Sequence, residues 1–179
     1  MKSKNWLHIF LLCVTATLCS AQSVQEQLKL GMAMENRGDM QAARSLYEKL
    51  NRSSPGNYSV FSRLLETLLH FQEYDSAAAL VRSKRDRFPD RPELDIKLAR
   101  IAWRQGETVR AGKIWRSILT AHNSDISVYT KVARAMLDER MVDEAIEVYK
   151  EARRALGRSD LFAFNLANLY AAQLRYLPA

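Results

Sequence analysis

A single spacing of 34 residues runs through most of this chain. Alanine recurs at this interval at five positions: Ala43, Ala77, Ala111, Ala145 and Ala179. An aliphatic residue recurs in the same way at five others: Leu30, Leu64, Leu98, Val132 and Leu166. No insertion or deletion breaks the register. A strict period of this length indicates a repeat architecture, in which each unit buries its apolar face against its neighbours.

Each repeat has the pattern of two amphipathic helices. In the fourth repeat, apolar residues recur at helical spacing in both halves: Tyr129, Val132, Ala133 and Met136 in the first, and Ala145, Val148, Tyr149 and Ala152 in the second. The chain has only 6 Gly and 4 Pro, and 47% of its residues are apolar. This composition favours helices over loop-rich or all-β structure and provides enough apolar surface for a core. The sequence therefore predicts an all-α fold.

The period, with a small residue where two helices cross and an aromatic residue close by, resembles the tetratricopeptide repeat family. The resemblance covers residues 24 to 179. It implies a right-handed α-solenoid of antiparallel helix pairs, with the first helix of each pair lining the concave face. The repeats fall at 24–57, 58–91, 92–125, 126–159 and, in part, 160–179, about four and a half repeats in all. The predicted helices are 24–37 with 40–53, 58–71 with 75–87, 92–105 with 108–121, 126–139 with 142–155, and a lone helix at 160–175.

Glycine marks the turn inside two of the repeats. Gly38 and Gly106 can adopt a positive φ and end the first helix of their units. Gln72 and Arg140 occupy the equivalent positions of the other two repeats, so the sequence predicts a different turn geometry there. Residues 37–39 spell an integrin-binding tripeptide, but they lie where the repeat needs a glycine followed by a polar residue, which favours a turn.

The second repeat departs most from the pattern. Leu65 and Lys84 stand where a small residue is usual, so this repeat is expected to be the loosest. Lys84 is expected to keep its charge in water while its aliphatic stem packs. Five cations lie between residues 82 and 91. A solvated helix face is the favoured interpretation, because nucleic-acid binding would need interleaved aromatic residues.

The N-terminus predicts export. Residues 1–21 combine two lysines, a short apolar run and small residues, as in a secretory signal peptide cleaved after Ala21. The run is shorter than the roughly 20 residues that span a bilayer, so no stable membrane anchor is expected. Cys13 and Cys19 would leave with this segment, so the mature chain would contain no disulfide. We therefore expect a periplasmic or secreted protein, with a bacterial source favoured.

No catalytic chemistry is visible in the sequence. The chain lacks the phosphate-binding, nucleophile-elbow and metalloprotease motifs, and its three histidines have no nearby ligands at metal-binding spacing. We predict no enzyme activity, no cofactor, no metal and no nucleic-acid partner. Removal of Lys2 and Lys4 would lower the formal net charge from +7 to +5, which hints at an acidic partner.

A partner-binding groove is predicted from the first helices of the last three repeats. After the packing residues are set aside, nine residues remain as candidates: Ile96, Arg100, Trp103, Arg104, Lys131, Arg134, Phe164, Asn165 and Asn168. Arg100, Arg134 and Asn168 are again 34 residues apart and should line one wall. Two interpretations stay open: the arginines form a clamp for a carboxylate-bearing peptide, or they pair with local acids such as Glu66 and Asp138.

The leading functional hypothesis is a non-enzymatic scaffold that binds a peptide or protein partner in this groove. The alternative is the N-terminal docking or regulatory segment of a longer exported enzyme or envelope assembly machine. A third is a structural spacer that self-associates. The last helix is apolar on most sides, and the register ends at Ala179 where a second helix should begin. We therefore expect further chain or a partner to cover this helix.

Overall fold

The structure, a computed structural model, describes residues 24–175. The predicted signal peptide and the stretch 176–179 lie outside the described residues. The described part contains nine helices and no strand, which confirms the all-α prediction: α1 (24–36), α2 (Met40–Ser53), α3 (Tyr58–His70), α4 (Tyr74–Arg87), α5 (Pro92–Arg104), α6 (Thr108–Ala121), α7 (Ile126–Asp138), α8 (Val142–Leu156) and α9 (Ala163–Arg175). The first eight begin and end within a residue of their predicted bounds. None of the described helices is long and apolar enough to cross a membrane.

The turn that follows the first helix is the same in all four repeats. The φ angles are 82° at Gly38, 57° at Gln72, 81° at Gly106 and 62° at Arg140. In each turn the next residue donates its N–H to a carbonyl five residues back, as Met141 does to Met136 at 2.9 Å. The prediction of a different geometry at Gln72 and Arg140 was therefore wrong. The hydrogen bonds of the turn impose the left-handed conformation even where glycine is absent.

The last helix begins three residues later than predicted. Phe162 has a φ of 54°, and its ring lies 4.5 Å from that of Tyr149 between centroids. The Nε of Arg153 donates to the carbonyl of Leu161 at 2.6 Å. Periodicity could not show this, because the contacts that hold residues 161 and 162 out of the helix come from α8.

The chain divides into two compact units, an N-terminal unit that reaches Glu73 and a C-terminal unit that begins at Tyr74. In the N-terminal unit, Tyr47 is fully buried against α1. A Cβ atom added to Gly31 would lie 2.4 Å from Cε1 of this tyrosine. The two helices can approach this closely only because residue 31 has no side chain.

The C-terminal unit holds one continuous core cluster. It combines alanines at the helix crossings, such as Ala111 and Ala145, with the large side chains of Trp115, Tyr129 and Tyr149. The pairs α5–α6 and α7–α8 pack as antiparallel partners, and α5 also lies beside α7. This last contact brings first helices of neighbouring repeats together, and six of the nine predicted groove residues lie on these two helices.

The side chain of Lys84 is buried beside an aromatic ring. Lys84 is only 8% exposed, and its Nζ lies 5.3 Å from the ring centroid of Phe88, within range of a cation–π contact. Burial, helped by Arg87 and Arg91, lowers the pKa of this lysine.

The tripeptide 37–39 lies at the start of α2. Its Asp39 accepts a hydrogen bond from the N–H of Ala42 at 3.2 Å and caps this helix. The tripeptide therefore serves a helix turn, as the repeat pattern indicated.

Candidate functional site

The nine predicted groove residues all lie in the C-terminal unit. Six belong to α5 or α7, and three belong to α9: Phe164, Asn165 and Asn168. Trp103 is half-buried against the core cluster. Ile96 is only 6% exposed and is a member of that cluster, so its assignment to the groove was wrong. Helical spacing alone placed it outside the packing stripe, but packing between neighbouring helices buries it.

Arg100 and Arg104 share one buried carboxylate. Glu139 is 8% exposed at its side chain and lies 2.8 Å from Nη2 of Arg100 and 2.9 Å from Nη2 of Arg104. Arg100 also lies 4.0 Å from Asp138. Burial would raise the pKa of Glu139, but the hydrogen bonds from Arg104 and Arg100 outweigh it and hold this pKa below its usual value. For Arg100, pairing with local acids is therefore what the structure shows.

Lys131 is paired as well. Its Nζ lies 2.5 Å from the carboxylate of Glu93, and both side chains are about half exposed. The hydrogen bond from Lys131 lowers the pKa of Glu93. Like the pairing of Arg100 and Arg104 with Glu139, this contact joins α5 to the α7 region, so three of the four predicted groove cations are used to hold neighbouring first helices together.

Arg134 differs from the other cations. It is exposed on α7, and no residue in the described range 24–175 forms a hydrogen bond or ion pair with it. Of the two arginines in the predicted wall, Arg100 therefore follows the local-pairing interpretation, whereas Arg134 stays compatible with the clamp interpretation. Arg100 is neutralised within the protein, whereas Arg134 remains available to a ligand.

The three candidates on α9 are exposed. Phe164 is 77% exposed, the highest fraction among the large apolar residues that the structure describes. Asn168 is exposed without a described hydrogen bond. Asn165 is also exposed, and it partly offsets the rise that burial causes in the pKa of the Tyr149 phenol. Asn168 thus remains a free polar group one repeat beyond Arg134, next to an exposed aromatic ring on the same helix.

Sequence reasoning missed Glu139 and Glu93. Neither acid lies at a 34-residue step from the cation that it binds: Glu139 follows Arg100 by 39 residues, and Glu93 precedes Lys131 by 38. One signal was present. Arg100 and Arg104 are spaced i, i+4, so their like charges lie side by side on one helix face and repel each other. A nearby acid that pairs with both arginines would remove this repulsion.

The described residues contain no cluster of three or more side chains that could hold a metal ion. A shallow depression of about 750 Å³ lies at the start of α7, lined by residues that include Asp125, Thr130 and Lys131. The Asp125 carboxylate accepts the N–H of Ser127 at 2.8 Å as a helix cap, which is the first cause of its lowered pKa. The Asp125 carboxylate is therefore used to cap the first turn of α7.

Comparison with known proteins places this fold. Residues 27–57 match the family profile described as Tetratricopeptide repeat. Among solved structures, TTC0263, a thermophilic TPR protein in Thermus thermophilus, aligns with 18% identity, 85% coverage of this chain, 84% of its own and a TM-score of 0.51. The chain has the fold of a tetratricopeptide repeat protein, and its residues 27–57 match that family. The structure titled MamA protein aligns with this repeat protein at 16% identity, with 87% and 88% coverage and a TM-score of 0.50.

These identities are low enough that the solved structures establish the fold of the repeat protein and nothing finer. No curated protein matches its sequence significantly. A fold of this kind supports many different functions. The site must therefore be argued from its own residues.

Proposed function

We propose that this repeat protein is a non-enzymatic scaffold that binds an extended protein segment along α7 and α9. The observation that carries the proposal is the contrast among the cations: Arg100, Arg104 and Lys131 are ion-paired within the protein, whereas Arg134 is exposed and has no acid within the described chain. Arg134 can bind a carboxylate without breaking an existing pair. The partner segment proposed therefore carries an acidic side chain or a free carboxylate.

The paired cations support binding in a different way. They join α5 to the α7 region, so α7 presents Arg134 from a backbone that is already ordered. A preorganised surface lowers the entropic cost of capturing a flexible segment. Exposed Phe164 supplies an apolar contact, and the amide of Asn168 can donate to a peptide carbonyl or accept from a peptide N–H.

A displayed library of random peptides, selected on the purified protein, tests the proposal. We expect enriched peptides to contain Asp or Glu, to bind saturably in fluorescence anisotropy, and to bind less tightly to Arg134→Glu and Phe164→Ala. The matched control is Arg116→Glu, which makes the same charge change at an exposed position on α6, a second helix. Failure to enrich any peptide, or equal binding by Arg134→Glu and Arg116→Glu, would exclude this site.

Arg100→Glu is unsuitable for this test. It would place a third carboxylate beside Glu139 and Asp138, which already lie 2.8 and 4.0 Å from the Arg100 guanidinium. Loss of binding in that variant would then reflect repulsion between α5 and α7 rather than loss of a ligand contact.

We also propose that this scaffold works outside the cytoplasm of a bacterium, either in the periplasm or as a secreted protein. The support is the charged, then apolar, then small-residue pattern of residues 1–21. N-terminal sequencing of the protein isolated from its native source tests this proposal. A sequence that starts at Gln22 is expected, and retention of residues 1–21 would contradict it.

A further inference from the structure

We propose that the turn between α4 and α5 binds a phosphoryl group through the guanidiniums of Arg87 and Arg91. The proposal goes beyond the proposed function, because Arg87 ends α4 and Arg91 directly precedes α5, whereas the groove ligand lies along α7 and α9. The ligand class is also different, since the groove is proposed to bind a carboxylate.

Positive charge is concentrated around this turn. Five cations lie within ten residues of sequence: Arg82, Lys84, Arg85, Arg87 and Arg91. Arg85 is neutralised by Asp95, whose carboxylate lies 3.1 Å from its Nη1. Arg87 and Arg91 are exposed, and no residue in the described range 24–175 forms an ion pair with either of them. Both guanidiniums can therefore bind an anion without breaking an existing ion pair.

The cations of the turn lie close together although they repel one another. The Nζ of Lys84 and the Cζ of Arg91 lie 5.3 and 5.4 Å from the centroid of the Phe88 ring, so these two charges are at most about 11 Å apart. Burial is the main cause of the lowered pKa of Lys84, and the charges of Arg87 and Arg91 add to it, so all three cations interact electrostatically. An anion bound at the turn would relieve this repulsion.

Arg91 occupies a position at which other repeats have a helix cap. It lies 34 residues from both Asn57 and Asp125, whose side chains accept backbone N–H groups at the starts of α3 and α7. An arginine side chain has no acceptor, and that of Arg91 makes no cap bond at the start of α5. The second linker of the chain thus has a cation where a helix start favours an acceptor.

A phosphoryl group matches this cluster better than a carboxylate does. It carries up to two negative charges and three strong acceptor oxygens at one centre, so it can accept from both guanidiniums at once. Two exposed acids in the same stretch, Asp86 and Asp90, weaken the attraction and so favour a ligand with more than one negative charge. Lys84 is only 8% exposed and adds attraction at a distance rather than a direct contact.

Inorganic pyrophosphate is the first probe, titrated into the whole chain and followed by isothermal calorimetry. We expect saturable binding that weakens at least about tenfold in Arg91→Asn. This variant removes one cation and introduces the amide that caps α3 at position 57, so its urea midpoint should not fall below that of the native chain. A lost fold then cannot explain a lost ligand.

The matched control is Arg116→Asn, which removes an exposed cation from α6 and should bind pyrophosphate as the native chain does. Arg134→Glu should also leave this binding unchanged, so the groove and the turn can fail independently.

Lipid vesicles distinguish a lipid headgroup from a soluble ligand. Phosphatidylcholine vesicles that contain phosphatidic acid are sedimented with the chain, with pure phosphatidylcholine as the blank. Sedimentation that depends on Arg91 assigns the phosphoryl group to a lipid, whereas binding of pyrophosphate alone assigns it to a soluble molecule.

The proposal is overturned if neither probe shows binding that Arg91→Asn weakens more than Arg116→Asn does. It is also overturned if succinate displaces pyrophosphate as effectively as unlabelled phosphate esters do, because the turn would then select negative charge in general rather than a phosphoryl group.

Discussion

At the scale of single residues, the four equivalent turn positions show how far the fold overrides local preference. Gly38 and Gly106 adopt a positive φ without steric cost, whereas Gln72 and Arg140 adopt it against the preference of an L-residue. The turn is retained because its hydrogen bonds depend on it, as in the bond from the Glu73 N–H to the Leu68 carbonyl. The sequence showed which residues occupy these positions but could not show that all four share one conformation.

Arg140→Gly should therefore stabilise the protein by about 1 kcal/mol, and Gly106→Ala should destabilise it by a similar amount. Urea unfolding followed by circular dichroism measures both. Gly112→Ala is the control, because Gly112 lies inside α6 at an ordinary φ with open space around it. That change should stabilise the helix by about 0.5–1 kcal/mol. A gain from Gly106→Ala would show that the turn can change its geometry freely.

A second residue-scale prediction concerns the close contact of Gly31 and Tyr47. Gly31→Ala should destabilise the protein by about 1–3 kcal/mol, because the added methyl group would overlap the tyrosine ring. Tyr47→Val puts there the residue found at the equivalent position 81. In the double variant the loss should be smaller than the sum of the two single losses. Additive losses in urea unfolding would mean that the two side chains do not compete for space.

At the scale of elements, the contact between α5 and the α7 region combines apolar packing with ion pairs. Glu139, at the end of α7, neutralises two arginines of α5, and Lys131 on α7 neutralises Glu93. These pairs have little to do with the repeat pattern, since their spacings are not 34 residues. They nevertheless decide which cations of the predicted groove are available to a partner.

Glu139 should give the protein a measurable sensitivity to acid. The pKa of Glu139 is lower in the folded protein than in the unfolded chain, so its stabilising effect is complete above the unfolded value of about 4.3 and is lost as the pH falls through the lowered folded value. Glu139→Gln should cost about 1–2 kcal/mol at pH 7, since solvent partly screens the two arginines, and the cost should shrink towards pH 3.

Urea unfolding at several pH values between 3 and 7 measures this effect. Glu147→Gln is the control, because Glu147 is exposed and pairs only with its helix neighbours. A constant difference between Glu139→Gln and the native chain across this range would contradict the pairing.

At the scale of the whole C-terminal unit, the core is unevenly distributed. The helices α5 to α8 supply almost all of its buried residues, whereas α9 supplies Leu166. Helices with few buried contacts open locally at a smaller free-energy cost than the core does. Among the described residues of this unit, α9 thus contributes the least to the core cluster and is expected to open most easily.

Hydrogen exchange followed by mass spectrometry should show this gradient. Amides of α9 should exchange at least about tenfold faster than those of α7 under native conditions. Equal protection of α7 and α9 in the free protein would show that α9 is already covered.

The sequence by itself determined the repeat register, the all-α fold and nearly every helix boundary. It could do so because these features depend on local periodicity, which is written into each repeat several times. Only the tertiary structure decided that Ile96 is buried, that Arg100 is neutralised and that Arg134 has no ion-pair partner among residues 24–175. These outcomes depend on which side chains meet across neighbouring helices, and acids such as Glu139 reach their partners through space at separations that no sequence period encodes.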